Sequence, residues 1–301
     1  MGEPYATPSG VEAAIKEAAR RASTGDTSVS VSERIRQEHF RRFLSRVFSD
    51  DARSEWLLKG GTGVLARVPS ARATKDVDLY REGYTLDEAL VDLRRLAKID
   101  LDDHFRFEYA SHIDSLAGPE QPYAEGYSVI FDVYIGPQKR GRLKVDLSVG
   151  AGITDEADVI HPANALDLPR LISHDYRVYP VVDQIADKLC ATHMLYSGAP
   201  SSRQKDLVDL VVFATTHDVR GLTLRVAIES EARRRGLEHI DRVKLPDTWG
   251  REYARMAKKV PQCEGFTDIG SARRHMEAFL DPVLQGEVDE RSWLRERLAW
   301  A

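Results

Sequence analysis

The sequence has little that could cross-link or anchor it. Its two cysteines, Cys190 and Cys263, lie far apart, and one falls in an apolar helical run. That is too few for a disulfide framework or a cysteine zinc site, and it fits a reducing compartment. No apolar run approaches membrane-spanning length, and the N-terminus lacks the apolar region of a signal peptide, so a cytoplasmic protein with no membrane partner is expected. The formal charge of −5 excludes a global basic field, so any surface for a polyanion must be local. No internal repeat is present. There is no G-x-x-x-x-G-K-[ST], which excludes a P-loop, and Gly60-Gly61-Thr62-Gly63 lacks the G-x-G-x-x-G register of dinucleotide folds. The hydrophobic content of 42% and charged content of 30% describe a globular chain, and 301 residues can form one large domain or two modest lobes.

The chain is organised around Trp56-Leu57-Leu58-Lys59-Gly60-Gly61-Thr62-Gly63 and the downstream Asp76-Val77-Asp78-Leu79-Tyr80. The first reads as a short strand breaking into a tight glycine turn that opens a helix from Gly63 to Val68, stopped by Pro69-Ser70. The second reads as a strand. Side chains two apart leave a strand on one face, so Asp76 and Asp78 repel each other unless a cation lies between them. Paired carboxylate oxygens suit Mg²⁺, which is commonly held by one or two carboxylates and substrate phosphates. A bare D-x-D is more often a solvated turn. Here the flanking Val77 and Leu79 and the upstream glycines favour a site.

Around these stretches, helices are expected over Val11–Ser23, Ser32–Phe48 and Leu86–Ile99, the last with a Thr85/Glu88 capping box, while residues 1–9 read as loose. Arg34, Arg36, Arg41, Arg42 and Arg46 read as a solvated face of the second helix, with a contact to a polynucleotide backbone as the lesser alternative. Three strands follow, over residues 105–109, 127–135 and 142–149, with a hairpin turn at Gly136 to Gly141. The third sets Asp146 between Val145 and Leu147, costly in a central strand unless the carboxylate is paired or metal-bound. Residues 150–180 read as a proline-rich linker, and the chain beyond as almost wholly helical. The expected division is 1–175 and 176–301.

Gly61-Thr62, thirteen intervening residues and Asp76-Val77-Asp78 resemble the G-S/T…D-x-D signature of the DNA polymerase β-like nucleotidyltransferases. The run Leu58 to Thr62 and Thr74 to Leu79 more narrowly resembles the AbiEii-type toxins, which include mycobacterial nucleotidyltransferases that modify the acceptor end of tRNA. The D-x-x-A-x-K of Asp183 to Lys188 and the R-x-K-D-x-x-D of Arg203 to Asp209 match two further motifs of that family in order. Thr62 replaces the more usual serine and keeps the hydroxyl.

The resemblance implies an α/β nucleotidyltransferase lobe with a mixed sheet, a helical C-terminal lobe and a cleft between them. It implies transfer of a nucleotide from an NTP to tRNA (an EC 2.7.7-type reaction) and a cognate antitoxin. Asp76, Asp78 and Asp146 would hold Mg²⁺, with Lys188 and Asp206 as the remaining catalytic positions. Lys59, Gly60, Gly61 and Thr62 would meet the triphosphate, Asp206 would orient Lys188 or contact the sugar or base, Asp209 is a second candidate for the helical aspartate near the nucleotide, and Thr74 lies where some relatives are phosphorylated. Other expected acceptors are a protein or small-molecule hydroxyl. A silent NTP-binding module is the rival from another class. Residues 220–260 hold eleven basic against six acidic residues, of which Arg233-Arg234-Arg235 and Lys258-Lys259 could follow a phosphate backbone or form a solvated face. Ser201 or Ser202 is expected to cap the Asp206 helix. Trp249, Trp293 and Trp300 read as packing residues.

Overall fold

The computed structural model describes residues 3–50, 54–114, 126–150, 152–196, 199–237 and 239–301. The first helix, α1 (Pro8–Gly25), starts earlier than its apolar spacing suggests. Thr7 Oγ1 accepts from the Gly10 amide at 3.1 Å, and Pro8 fills a first-turn position where no amide is needed. Ser30 caps α2 (Val31–Val47). The strand β1 (Trp56–Lys59) runs directly into α3 (Gly60–Arg67), so the glycine pair is the helix's first turn and no loop precedes it. Next come β2 (Val77–Glu82) and α4 (Leu86–Leu96), where the Thr85/Glu88 capping box is present.

The three long strands are β3 (Phe105–Asp114), β4 (Gly126–Ile135) and β5 (Gln138–Gly150). The β4–β5 turn is tighter than expected. Ile135 pairs with Gln138 across Gly136-Pro137, and Gly141 lies inside β5 where the register shifts.

Residues 150–180 are not a plain linker. They contribute β6 (Asp158–Ile160) and β7 (Tyr176–Val178), which complete a sheet ordered β3-β4-β5-β2-β1-β7-β6. The sheet is mixed: β2–β5 and β1–β7 are parallel and the other pairs antiparallel. Strand alternation sends Val77, Leu79, Val145 and Leu147 to the apolar side, where they join Phe43, Phe107 and Phe131 in one hydrophobic cluster. Asp78 and Asp146 therefore leave by the opposite face.

Arg41, Arg42 and Arg46 of α2 are buried and form no solvated face, whereas Arg34 and Arg36 are half-buried. Arg46 is fully buried and binds Asp103 at 2.6 Å; Arg42, also fully buried, binds Glu38 at 2.8 Å, and Arg41 donates to the Leu166 carbonyl. They tie α2 to distant segments.

A second hydrophobic cluster is built from α5 (Val181–His193), α6 (Gln204–Thr216), α7 (Gly221–Arg234), α8 (Gly250–Ala257) and α9 (Ile269–Leu284), with Val64 and Leu65 of α3. This part is not wholly helical. Two-residue strands β8 (Leu195–Tyr196) and β9 (Ala199–Pro200) pair with each other. Strands β10 (Val219–Arg220), β11 (Ser292–Leu294) and β12 (Ala299–Trp300) form a small sheet. Trp249 and Trp293 are buried there, and Trp300 packs on Phe279 and Trp293. Cys190 and Cys263 are free and buried in this cluster. Among the described residues no helix is long and apolar enough to cross a membrane.

Candidate active site

Pairing register assembles the first half of the site. In the parallel β2–β5 ladder Asp78 lies opposite Asp146, and in the antiparallel β1–β2 ladder Lys59 lies opposite Asp78. Directly opposed side chains share a face, so Lys59, Asp78 and Asp146 form a row across three strands. Asp76 and Lys144 precede Asp78 and Asp146 by two residues. Lys144 Nζ lies 3.0 Å from Asp146 and 3.5 Å from Asp76.

Gly60 makes room for Asp78. Its φ is +60°, and a Cβ placed there would stand 2.0 Å from Asp78 Oδ2. Only a residue without a side chain lets that carboxylate sit against the start of α3. The helix has no side-chain cap, so its first amides have no competing side-chain oxygen.

Burial, then the Asp76 charge, pushes the Asp78 carboxyl up to about 7, against the opposing pull of Lys59 and Lys188. A carboxyl so placed is under-compensated. Lys144 is also raised, but there the shift favours the charged form: burial opposes its charge, and bonds to Asp146 and Asp76 outweigh it.

The expected hydroxyls act on the backbone of this stretch. Thr62 Oγ1 donates to the Asp76 carbonyl at 2.7 Å, and Thr74 Oγ1 lies 3.3 Å from both the carbonyl and Oδ1 of Asp76. Thr74 is buried, and its own carbonyl accepts from Arg36 at 2.6 Å. Gly61 faces this loop, where a Cβ would meet Thr74 Oγ1 at 3.1 Å and an Arg72 nitrogen at 3.3 Å.

The second half is a buried ionic cluster between α5 and α6. Lys188 Nζ lies 2.6 Å from Asp209 Oδ2 and 3.4 Å from Asp206 Oδ1. Arg72 donates to the same Asp209 oxygen at 2.7 Å. Burial alone would raise the Asp209 pKa, yet Lys188 and Arg72 hold it below the ordinary carboxylate value. Lys188 stays above its ordinary value for the reciprocal reason, although burial works against its charge. Asp209 is thus the tighter partner of Lys188, and Asp206 lies farther out beside Arg203, at 3.6 Å. Asp183, first residue of the D-x-x-A-x-K run, accepts from the Thr154 amide at 3.0 Å and so anchors the segment before β6.

Neither Ser201 nor Ser202 caps α6; Arg203 occupies the N-cap position without a side-chain bond. The Arg233-Arg234-Arg235 run divides. Arg235 pairs with Asp187 and Glu231, Arg234 pairs with Glu231, and Arg233 is exposed, as are Lys258 and Lys259.

Sequence reasoning missed Arg72 and Lys144. Arg72 sits in a loop without periodicity. Lys144 carried a usable signal, since it stands two residues before Asp146 in the same strand.

Among the described residues no group of three or more His, Cys, Asp and Glu side chains is gathered as a ready metal site. The donor chemistry nonetheless fits a hard cation shared with a ligand. All donors are carboxylate oxygens, Asp78 lacks a full counter-charge, and the Lys144 ammonium already stands between Asp76 and Asp146.

A family model described as nucleotidyl transferase AbiEii toxin, type IV TA system, matches residues 42–297. No curated protein matches the sequence. Two solved structures from Helicobacter pylori are similar. JHP933 is 15% identical, with 84% of this chain and 93% of that chain covered at a TM-score of 0.45. A second, described provisionally as a nucleotidyltransferase, is 15% identical, with 83% and 94% covered at a TM-score of 0.45.

Proposed function

Because the chain belongs to the AbiEii nucleotidyltransferase toxin family of type IV toxin–antitoxin systems, we propose that it transfers a nucleoside monophosphate from an NTP to the 3′ acceptor end of tRNA, and that an antitoxin restrains it. The observation that carries this reading is the register setting Asp146 opposite Asp78, with Asp76, the residue just before β2, joined to Asp146 through Lys144 and Gly60 opening space beside Asp78. A triphosphate needs such a place: carboxylates for the cation it brings, and free helix-start amides for its outer phosphates.

In the reaction the acceptor oxygen bonds to the α-phosphorus, the bond to pyrophosphate breaks, and the acceptor's proton passes to solvent. Asp76, Asp78 and Asp146 would hold Mg²⁺, which supplies charge neutralisation at the phosphates and lowers the pKa of the hydroxyl. Thr62 and Thr74 fix the backbone around Asp76, so they act on the position of the carboxylates. The amides of Gly60, Gly61 and Thr62 face the β- and γ-phosphates. Lys188, held by Asp209 and Asp206, would present positive charge to the triphosphate from the helical part, residues 176–301. Lys59 adds charge from β1.

The test is incubation of purified protein with each α-labelled NTP, Mg²⁺ and total tRNA. Label is expected at the tRNA 3′ end and is lost in Asp78→Asn. Label on protein or on a small molecule, shortened RNA, or NTP binding without incorporation would each replace this reading with another.

A further inference from the structure

The cations on the carboxylate face differ in how firmly they are held. Lys59 Nζ lies over the Tyr80 and Tyr179 rings at 5.7 and 5.9 Å. Lys188 and Arg72 both bind Asp209, which is fully buried. Lys144 differs: its ammonium stands between Asp76 and Asp146, while 44% of its side chain is exposed. A flexible four-carbon stem at that exposure can swing into solvent without disturbing the core. The gap between two carboxylates cannot hold an ammonium and a divalent ion together, because the like charges repel at such separations.

We propose that Lys144 is the internal counter-cation of the unloaded site, neutralising Asp76 and Asp146 until a divalent ion displaces it, and that it thereby sets the affinity for metal alone. This rests on the assignment of the three carboxylates to a divalent cation. Without Lys144 no ammonium would stand between Asp76 and Asp146, and the bare protein would collect divalent ions before nucleotide arrives. With it, metal alone binds weakly, and occupancy depends on the charge that accompanies a bound nucleotide. Once displaced, the ammonium is tethered at the rim of the site.

The experiment titrates Mn²⁺ into the full chain without nucleotide and reads free Mn²⁺ by electron paramagnetic resonance. It uses the wild type, Lys144→Met, Lys144→Gln and Lys144→Arg. The Met and Gln variants are expected to bind Mn²⁺ about tenfold more tightly or better, while Arg restores wild-type affinity. In metal-free buffer the Met variant should melt below the wild type, and Mn²⁺ should raise its melting temperature by more. If the wild type binds Mn²⁺ and both neutral variants bind it equally or less well, the role given to Lys144 is wrong and the metal assignment stands. If none of the four proteins binds Mn²⁺, both fall together.

Discussion

Replacing Gly60 by alanine asks whether the Asp78 carboxylate owes its place to a missing side chain. Two costs can be separated. A non-glycine residue at φ +60° costs about 1–2 kcal/mol in backbone strain. The added Cβ would also stand 2.0 Å from Asp78 Oδ2 and 2.3 Å from its Cγ, so the carboxylate must move by an ångström or more. A shift of that size in a positioning group costs on the order of 100-fold in rate. Gly83 is the control. It has φ +73° and nothing within 4 Å of the point where a methyl group would stand, so Gly83→Ala carries the strain without the collision. Gly83→Ala should lose about 1–2 kcal/mol of stability and Gly60→Ala at least as much, visible as a drop of a few degrees in melting temperature. Only Gly60→Ala should lose label transfer, by about 100-fold or more at saturating NTP. Activity within about threefold of wild type in Gly60→Ala, or an equal loss in Gly83→Ala, would refute the argument.

The remaining predictions concern buried charge. Asp209→Asn leaves Lys188 and Arg72 buried with a neutral partner and should cost about 3–5 kcal/mol in urea unfolding. Asp206→Asn breaks only contacts of 3.4 and 3.6 Å and should cost about 1–2 kcal/mol; equal losses would mean the two aspartates are not ranked by these distances. His275, buried and stacked on Phe266 at 4.1 Å, is pushed down by burial to about 4. The unfolded chain binds this proton more readily than the folded one between pH 6.5 and 4, so stability falls as pH falls through that window. At pH 4.5 the loss should approach about 2–3 kcal/mol relative to pH 7, and His275→Phe should remove that share; identical pH profiles for the two proteins would contradict it.

How much of this was legible depended on how local each cause is. The β-branched and aromatic runs of β3 to β5 and the Thr85/Glu88 box are decided within a few residues, and they formed where read, although β3 and β5 run several residues longer. Strands β6 and β7 have three residues each among prolines, and their pairing depends on partners such as Leu58, opposite Val178. No local pattern reports that. Charge was misread for the same reason: Arg46 looks like surface until Asp103 arrives from 57 residues away. At the candidate site, the sequence pointed to the carboxylates and glycines. It did not reveal that Thr62 bonds the Asp76 carbonyl, or that Arg72 crosses to Asp209, because both depend on how loops close.

The two thiols offer a clock for one part of the molecule. Cys190 and Cys263 are both 0% exposed, and burial pushes each up to about 12, so the reactive thiolate is scarce even where reagent could enter. Both sit in the α5–α9 cluster and none in the sheet's own cluster. Alkylation of the native chain therefore times the breathing of the helical cluster alone, and leaves openings around the carboxylate-bearing strands silent.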